Sequence, residues 1–173
     1  MSLGLEAGTV LLHEAHESWA LEFHREKARI LDAIGAHILD IQHVGSTAIP
    51  GVPAKPILDI LVGVERFEGA TVCVSSLEEI GYTYRHEHGI PRRHYFVKGN
   101  PRTHHLHMVE RDSEHWMITV RFRDCLRNQP ELAREYAEAK VRLAARYFRD
   151  RAGYQKEKDQ VVESLLRKIS ALS

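Results

Sequence analysis

The stretch 42–64, QHVGSTAIPGVPAKPILDILVGV, sets a glycine-serine pair, three prolines, one lysine and one aspartate before or inside an apolar strand. Two glycines (Gly45, Gly51) and three prolines (Pro50, Pro53, Pro56) exclude any long regular element between 45 and 56. The run that follows, ILDILVGV at 57–64, is short, apolar and β-branched, and reads as a central strand buried on both faces. Period two puts Leu58, Ile60, Val62 and Val64 on one face and Ile57, Asp59, Leu61 and Gly63 on the other. A carboxylate on that second face needs a cation, N–H donors or water. A structural ion pair would supply this, and so would a ligand or a metal. The loop before the strand favours a ligand. Gly45 lets the backbone approach closely, and Ser46 and Thr47 place hydroxyls beside N–H groups, an arrangement suited to phosphate. Lys55 lies four residues before Asp59 and is placed either to neutralise a phosphate or to pair with Asp59. His43 ends the preceding strand, as a ligand contact or as a satisfied structural histidine.

Outward from this stretch the pattern alternates helices and short strands. Trp19, Phe23, Ile30 and Ile34 recur at helical spacing, predicting a helix over about 16–34 that stops at Gly35. AHILDIQHV reads as a strand over 36–44. EGATVCVSSLEEIG predicts a helix capped by Gly81. Extended segments follow at about 82–86, 92–97 and 103–110, with turns at Gly89-Ile90-Pro91 and Gly99-Asn100-Pro101. From Ser113 the chain is helical. Pro130 opens a second helix with Leu132, Tyr136, Leu143 and Tyr147 on its face, and a third, over about 151–171, carries Val161, Leu165, Ile169 and Leu172. The simplest architecture is one α+β domain over 1–173, a palm at about 16–112 with packed C-terminal helices at about 113–173.

The bulk properties narrow the function. The 173 residues suffice for one hydrophobic core, and 24 basic residues balance 24 acidic ones. That balance argues against a dedicated nucleic-acid or membrane binder. No apolar run approaches roughly 18 residues, and no basic start leads into an apolar core, so neither a membrane span nor a signal peptide is expected. Cys73 and Cys125 stand far apart and read as small buried hydrophobes, which suits a reducing, cytoplasmic setting. Histidine is the exception: six of twelve fall within 86–107.

HVGSTAIPGVPAKPILDILVGV (43–64), with HHLHMV (104–109), FRDCLR (122–127), PELAREY (130–136) and DRAGYQKEK (150–158), is similar to the signature of the GrpB family, and the likeness runs along most of the chain. The resemblance implies the nucleotidyltransferase superfamily fold, a mixed β-sheet palm like that of DNA polymerase β, flanked by an N-terminal helix and a C-terminal helical segment. That superfamily carries Gly-Ser, a short gap, then Asp-x-Asp/Glu on the next strand. Gly45-Ser46 and Asp59 match; the second carboxylate is replaced by Leu61. Two-metal phosphoryl transfer holds hard cations on paired carboxylates, so Leu61 makes an ordinary Mg²⁺ pair improbable here. Members resembling this chain also occur fused to dephospho-CoA kinase, which implies a role near CoA or nucleotide metabolism.

The histidine strand is the expected replacement. If 103–110 is extended, His105, His107 and Val109 share one face, while His104, Leu106, Met108 and Glu110 share the other. By analogy with the superfamily's third acid on a later strand, His105 or His107 faces Asp59. Asp59, His105 and His107 then form a mixed site favouring Zn²⁺, Mn²⁺ or Ni²⁺ over Mg²⁺; the alternative is a hydrogen-bonded groove without metal. Arg92, Arg93 and Lys98 suit a nearby anion, although the two arginines must diverge and each reads singly as solvated surface. Arg121, Arg123 and the DRAGYQKEK segment read as structural pairing; Lys140 and Lys156 have no required role.

Two functions are therefore expected. One is metal-dependent nucleotidyl transfer or hydrolysis, with Asp59 and His107 catalytic and His43, Gly45, Ser46, Thr47 and Lys55 on the phosphate. The other is a non-catalytic module binding a nucleotide or another phosphate-bearing small molecule.

Overall fold

The computed structural model describes residues 3–6 and 8–171. Its sheet has five strands in the order β1-β2-β5-β4-β3. These are β1 (Asp40–Val44), β2 (Leu58–Val64), β3 (Tyr82–Tyr84), β4 (His94–Lys98) and β5 (His104–Glu110). β2 and β5 are parallel, and every other neighbouring pair is antiparallel. The apolar run 57–64 thus becomes an interior strand, as its two-sided hydrophobicity requires.

One face of the sheet packs on α1 (Ser18–Ile34) and α2 (Cys73–Glu79). Leu58, Ile60, Val62 and Val64 meet Trp19, Phe23, Ile30, Ile34, Phe96, Leu106 and Met108 in the main core. The other face receives α3 (Glu114–Asn128), α4 (Pro130–Arg146) and α5 (Arg151–Ala171) around a smaller core that includes Leu126, Tyr136, Leu165 and Ile169. Ser113 caps α3 by accepting from Trp116 N–H, and Pro130 occupies the first turn of α4, where its missing N–H costs nothing.

The structure differs from the sequence reading at several elements, the helix expected from Glu68 being 3₁₀ over Glu68–Val72 and α-helical only from Cys73. The strand expected over 36–44 begins only at Asp40, because 35–37 close as a 3₁₀ turn after α1. The buried stripe of α4 is Ala133, Tyr136, Ala139 and Lys140, rotated from the face expected through Leu132, Leu143 and Tyr147. On α5, Leu165 and Ile169 are buried with Tyr154, while Leu172 lies outside the described residues.

Candidate functional site

Between the sheet face opposite α1 and the C-terminal helices lies a cavity of about 600 Å³. Its floor is set by register. Asp59 on β2 pairs with His105 on β5, and Leu61 pairs with His107. The side chains alternate as the phase requires, so Asp59, Leu61, His105 and His107 all line the cavity. Asp59 Oδ1 lies 3.0 Å from His105 Nδ1 and 3.9 Å from His107 Nε2. Burial pushes the Asp59 carboxyl up, but hydrogen bonding and charge from His105 and His107 outweigh it and hold the group well below the usual carboxylate range. Burial, only partly offset by Asp59, pulls His107 down.

The Gly-Ser loop closes over the same carboxylate. Gly45 has φ 69°, and a Cβ there would stand 2.3 Å from Asp59 Oδ2. Only glycine permits both the backbone and the approach. Ser46 and Thr47 also line the cavity, with Ser46 Oγ 3.3 Å from the Tyr136 hydroxyl. His43 is placed elsewhere. It faces α1, its ring stacked on Phe23 with centroids 4.7 Å apart and its Nε2 2.9 Å from Thr47 Oγ1, and it is not a cavity residue. Burial lowers it to about 4. It supports the loop from behind.

The FRDCLR segment braces the loop as well, a role its spacing does not reveal. Arg123 donates to the His43 carbonyl at 2.9 Å and to Gln42 at 2.8 Å, and pairs with Asp124. Arg127 donates to the Ala48 carbonyl at 2.8 Å. The expected structural pairing of Arg123 is thus present, and its object is the loop 43–48.

The arginines of the β3–β4 connection diverge as expected, but Arg93 is not solvated surface. It is 5% exposed, lines the cavity, and has its guanidinium 4.7 Å from the Tyr95 ring. It donates to the Glu87 and His88 carbonyls at 3.1 Å and approaches His107 Nδ1 at 3.3 Å. Arg92 turns outward to Glu68 and Glu110. Lys98, expected near the anion, instead bonds Glu26 of α1 at 2.6 Å, because its place on β4 turns it to the other face.

The remaining wall comes from the segment the sequence left as structural. Arg151, Tyr154, Gln155 and Lys158, all in DRAGYQKEK, line the cavity with Lys55 and Lys140. Lys55 sits over the Tyr154 ring at 5.2 Å. Burial, then the charges of Arg151 and Lys158, lower its amine to about 8. Lys140 is 2% exposed and donates to the Pro53 carbonyl. A helix more than 90 residues downstream gave no spacing signal toward Asp59; only its similarity to the family motif marked it.

A carboxylate that orients an imidazole is the arrangement of a general base. The residues do not fit the superfamily's Mg²⁺ pair, since Leu61 is fully buried against Val44, Val109 and Trp116. Among the described residues, no group of three or more His, Cys, Asp or Glu side chains is arranged to hold a metal ion. Among those residues, too, no helix is long and apolar enough to cross a membrane.

Comparison with known proteins follows the same lines. The chain is 37% identical to the glutamate-rich protein GrpB of Alkalihalophilus pseudofirmus, covering 96% of this chain and 99% of that one. It is 40% identical to UPF0157 protein YqkA of Bacillus subtilis over 86% of its length and to UPF0157 protein PA4798 of Pseudomonas aeruginosa over 91%, spanning 44% and 66% of those longer relatives. The crystal structure of conserved protein GrpB from Enterococcus faecalis superposes with a TM-score of 0.83 at 31% identity, covering 91% of this chain and 98% of that one. At 13% identity, terminal uridylyl transferase 4 from Trypanosoma brucei with bound CTP superposes with a TM-score of 0.51, covering 89% of this chain and 51% of that one, a likeness of fold alone. The palm is thus nucleotidyltransferase-like, and the GrpB protein family model matches residues 9–168: the chain belongs to the GrpB family.

Proposed function

We propose that this protein binds a phosphate-bearing small molecule of nucleotide size in the cavity between the palm and the C-terminal helices. One observation carries the reading: the cavity's charge is unbalanced. Lys55, Arg93 and Arg151 line it with no carboxylate within 4.0 Å among the described residues, whereas Asp59 is engaged by two imidazoles. Buried or half-buried cations without counter-charge are costly, and an anionic ligand removes the cost. The Gly45-Ser46-Thr47 loop supplies hydroxyls at the same wall. Two relationships support a nucleotide or a CoA precursor as the ligand class. A fold neighbour holds CTP, and a dephospho-CoA kinase of Mycolicibacterium paratuberculosis is 40% identical to this chain over 67 residues.

A second reading, catalysis of nucleotidyl or phosphoryl transfer, is favoured by the Asp59–His105 contact beside that loop. Leu61 weighs against the superfamily's metal pair. A Zn²⁺, Mn²⁺ or Ni²⁺ ion on Asp59, His105 and His107 would have to replace the hydrogen bonds these groups now make.

A thermal-shift screen of nucleotides, sugar phosphates and CoA precursors, with and without Mn²⁺ or Zn²⁺, tests both readings. A ligand at about 100 times its Kd stabilises by about 2.7 kcal/mol, and Lys55→Glu or Arg151→Glu removes that gain. Absence of any shift across the panel overturns the binding reading. A metal-dependent shift that survives Asp59→Ala overturns the metal set.

A further inference from the structure

The cavity floor contains a buried imidazole nitrogen with no hydrogen-bond partner among the described residues. Arginine only donates, so Arg93 Nη1 at 3.3 Å from His107 Nδ1 assigns a lone pair to that nitrogen. The proton of neutral His107 is then on Nε2, the nitrogen facing Asp59. An ionised Asp59 only accepts, so His105 Nδ1, at 3.0 Å, is a protonated nitrogen, and in the neutral ring His105 Nε2 carries the lone pair. That Nε2 is buried and has no partner among the described residues. His105 nonetheless lines the cavity, with the Tyr95 ring 5.7 Å away.

The wall cations meet the anionic part of a ligand, but a fully deprotonated oxyanion such as sulfate cannot satisfy His105 Nε2, because both are acceptors. The ligand must also bring a donor to the floor. We propose that His105 Nε2 accepts a hydrogen bond from a hydroxyl of the ligand, so that the site selects a hydroxyl-bearing phosphate ester over sulfate, an anion with no donor. This rests on the anion-binding reading above. Asp59 and Arg93 act as positioning residues: the first fixes the tautomer of His105, the second that of His107.

The test is long-range ¹H–¹⁵N NMR of the full chain with labelled histidine, free and titrated with ribose 5-phosphate or sulfate. In the free protein, His105 is expected to show a protonated Nδ1 and a lone-pair Nε2, and His107 the reverse. Ribose 5-phosphate is expected to perturb His105 Nε2 where sulfate leaves it in place. His105→Phe is expected to reduce the preference for ribose 5-phosphate over sulfate by roughly fivefold, the worth of one hydrogen bond. The opposite tautomer at His105, equal perturbation of Nε2 by both probes, or an unchanged preference in His105→Phe overturns the proposal. Sulfate binding without a hydroxyl effect from ribose 5-phosphate overturns this inference alone. Binding of neither probe overturns the anion-binding reading, and the tautomers of the free protein still decide the Asp59–His105 relation.

Discussion

Asp59 and Gly45 occupy one space: the carboxylate fills the position a side chain at residue 45 would need, 2.3 Å from its Oδ2. Gly45→Ala therefore combines strain at φ 69° with displacement of Asp59 from His105. The expected loss is about 1–3 kcal/mol in urea unfolding, with the His105 Nδ1–H signal altered. Wild-type stability in this variant would show that the loop yields freely.

Restoring the missing carboxylate is not expected to create a metal pair. Leu61 is fully buried against Val44, Val109 and Trp116, so Leu61→Asp inserts a charge into an apolar cluster. A loss on the order of 3 kcal/mol or more is expected in denaturant unfolding, without a gain in Mn²⁺ uptake by calorimetry.

Lys98 and Lys55 separate stability from binding. Lys98 neutralises the buried Glu26 on the α1 side, so Lys98→Met is expected to cost about 3 kcal/mol and leave anion affinity unchanged. Lys55→Met is expected to weaken nucleotide or sugar-phosphate binding by about tenfold, measured by calorimetry.

Anion binding is expected to take up a proton at Lys55. Its amine is lowered to about 8, first by burial and then by Arg151 and Lys158. A bound anion favours the charged form and raises it again. Affinity therefore falls as pH rises through 8, by at most about tenfold per pH unit. Calorimetry in buffers of different ionisation enthalpy reads the uptake directly; pH-independent affinity between 7 and 9 would exclude it.

Acid is expected to destabilise the fold well above the carboxylate range. His43 and His104 are each lowered from 6.5 to about 4, burial being the main cause. Between these values the unfolded chain binds protons that the folded chain does not, so stability is full above pH 6.5 and falls towards pH 4. Each contributes up to about 3 kcal/mol. Asp59, depressed by its histidines, extends the loss below pH 3.8. Unfolding midpoints followed from pH 7 to 4 check this, and His43→Gln is expected to flatten the slope.

Much of the fold and half of the site were legible in the sequence. The all-apolar run at 57–64 required an interior strand, and period two fixed the faces of Asp59, Leu61, His105 and His107, because alternation in a strand is a local property of the backbone. The loop at 45–56 was equally local, written in glycine and proline. Tertiary structure alone decided the rest. Whether His43 faced the cavity depended on the side of the sheet that α1 covers, and Phe23 settled it. Whether Arg93 was surface or wall depended on where the β3–β4 connection folds. The cationic wall of Arg151 and Lys158 comes from a helix that meets Lys55 only after α3 and α4 have packed. Strand phase is set within a few residues, whereas a site's charge balance is set by which distant helix closes over it.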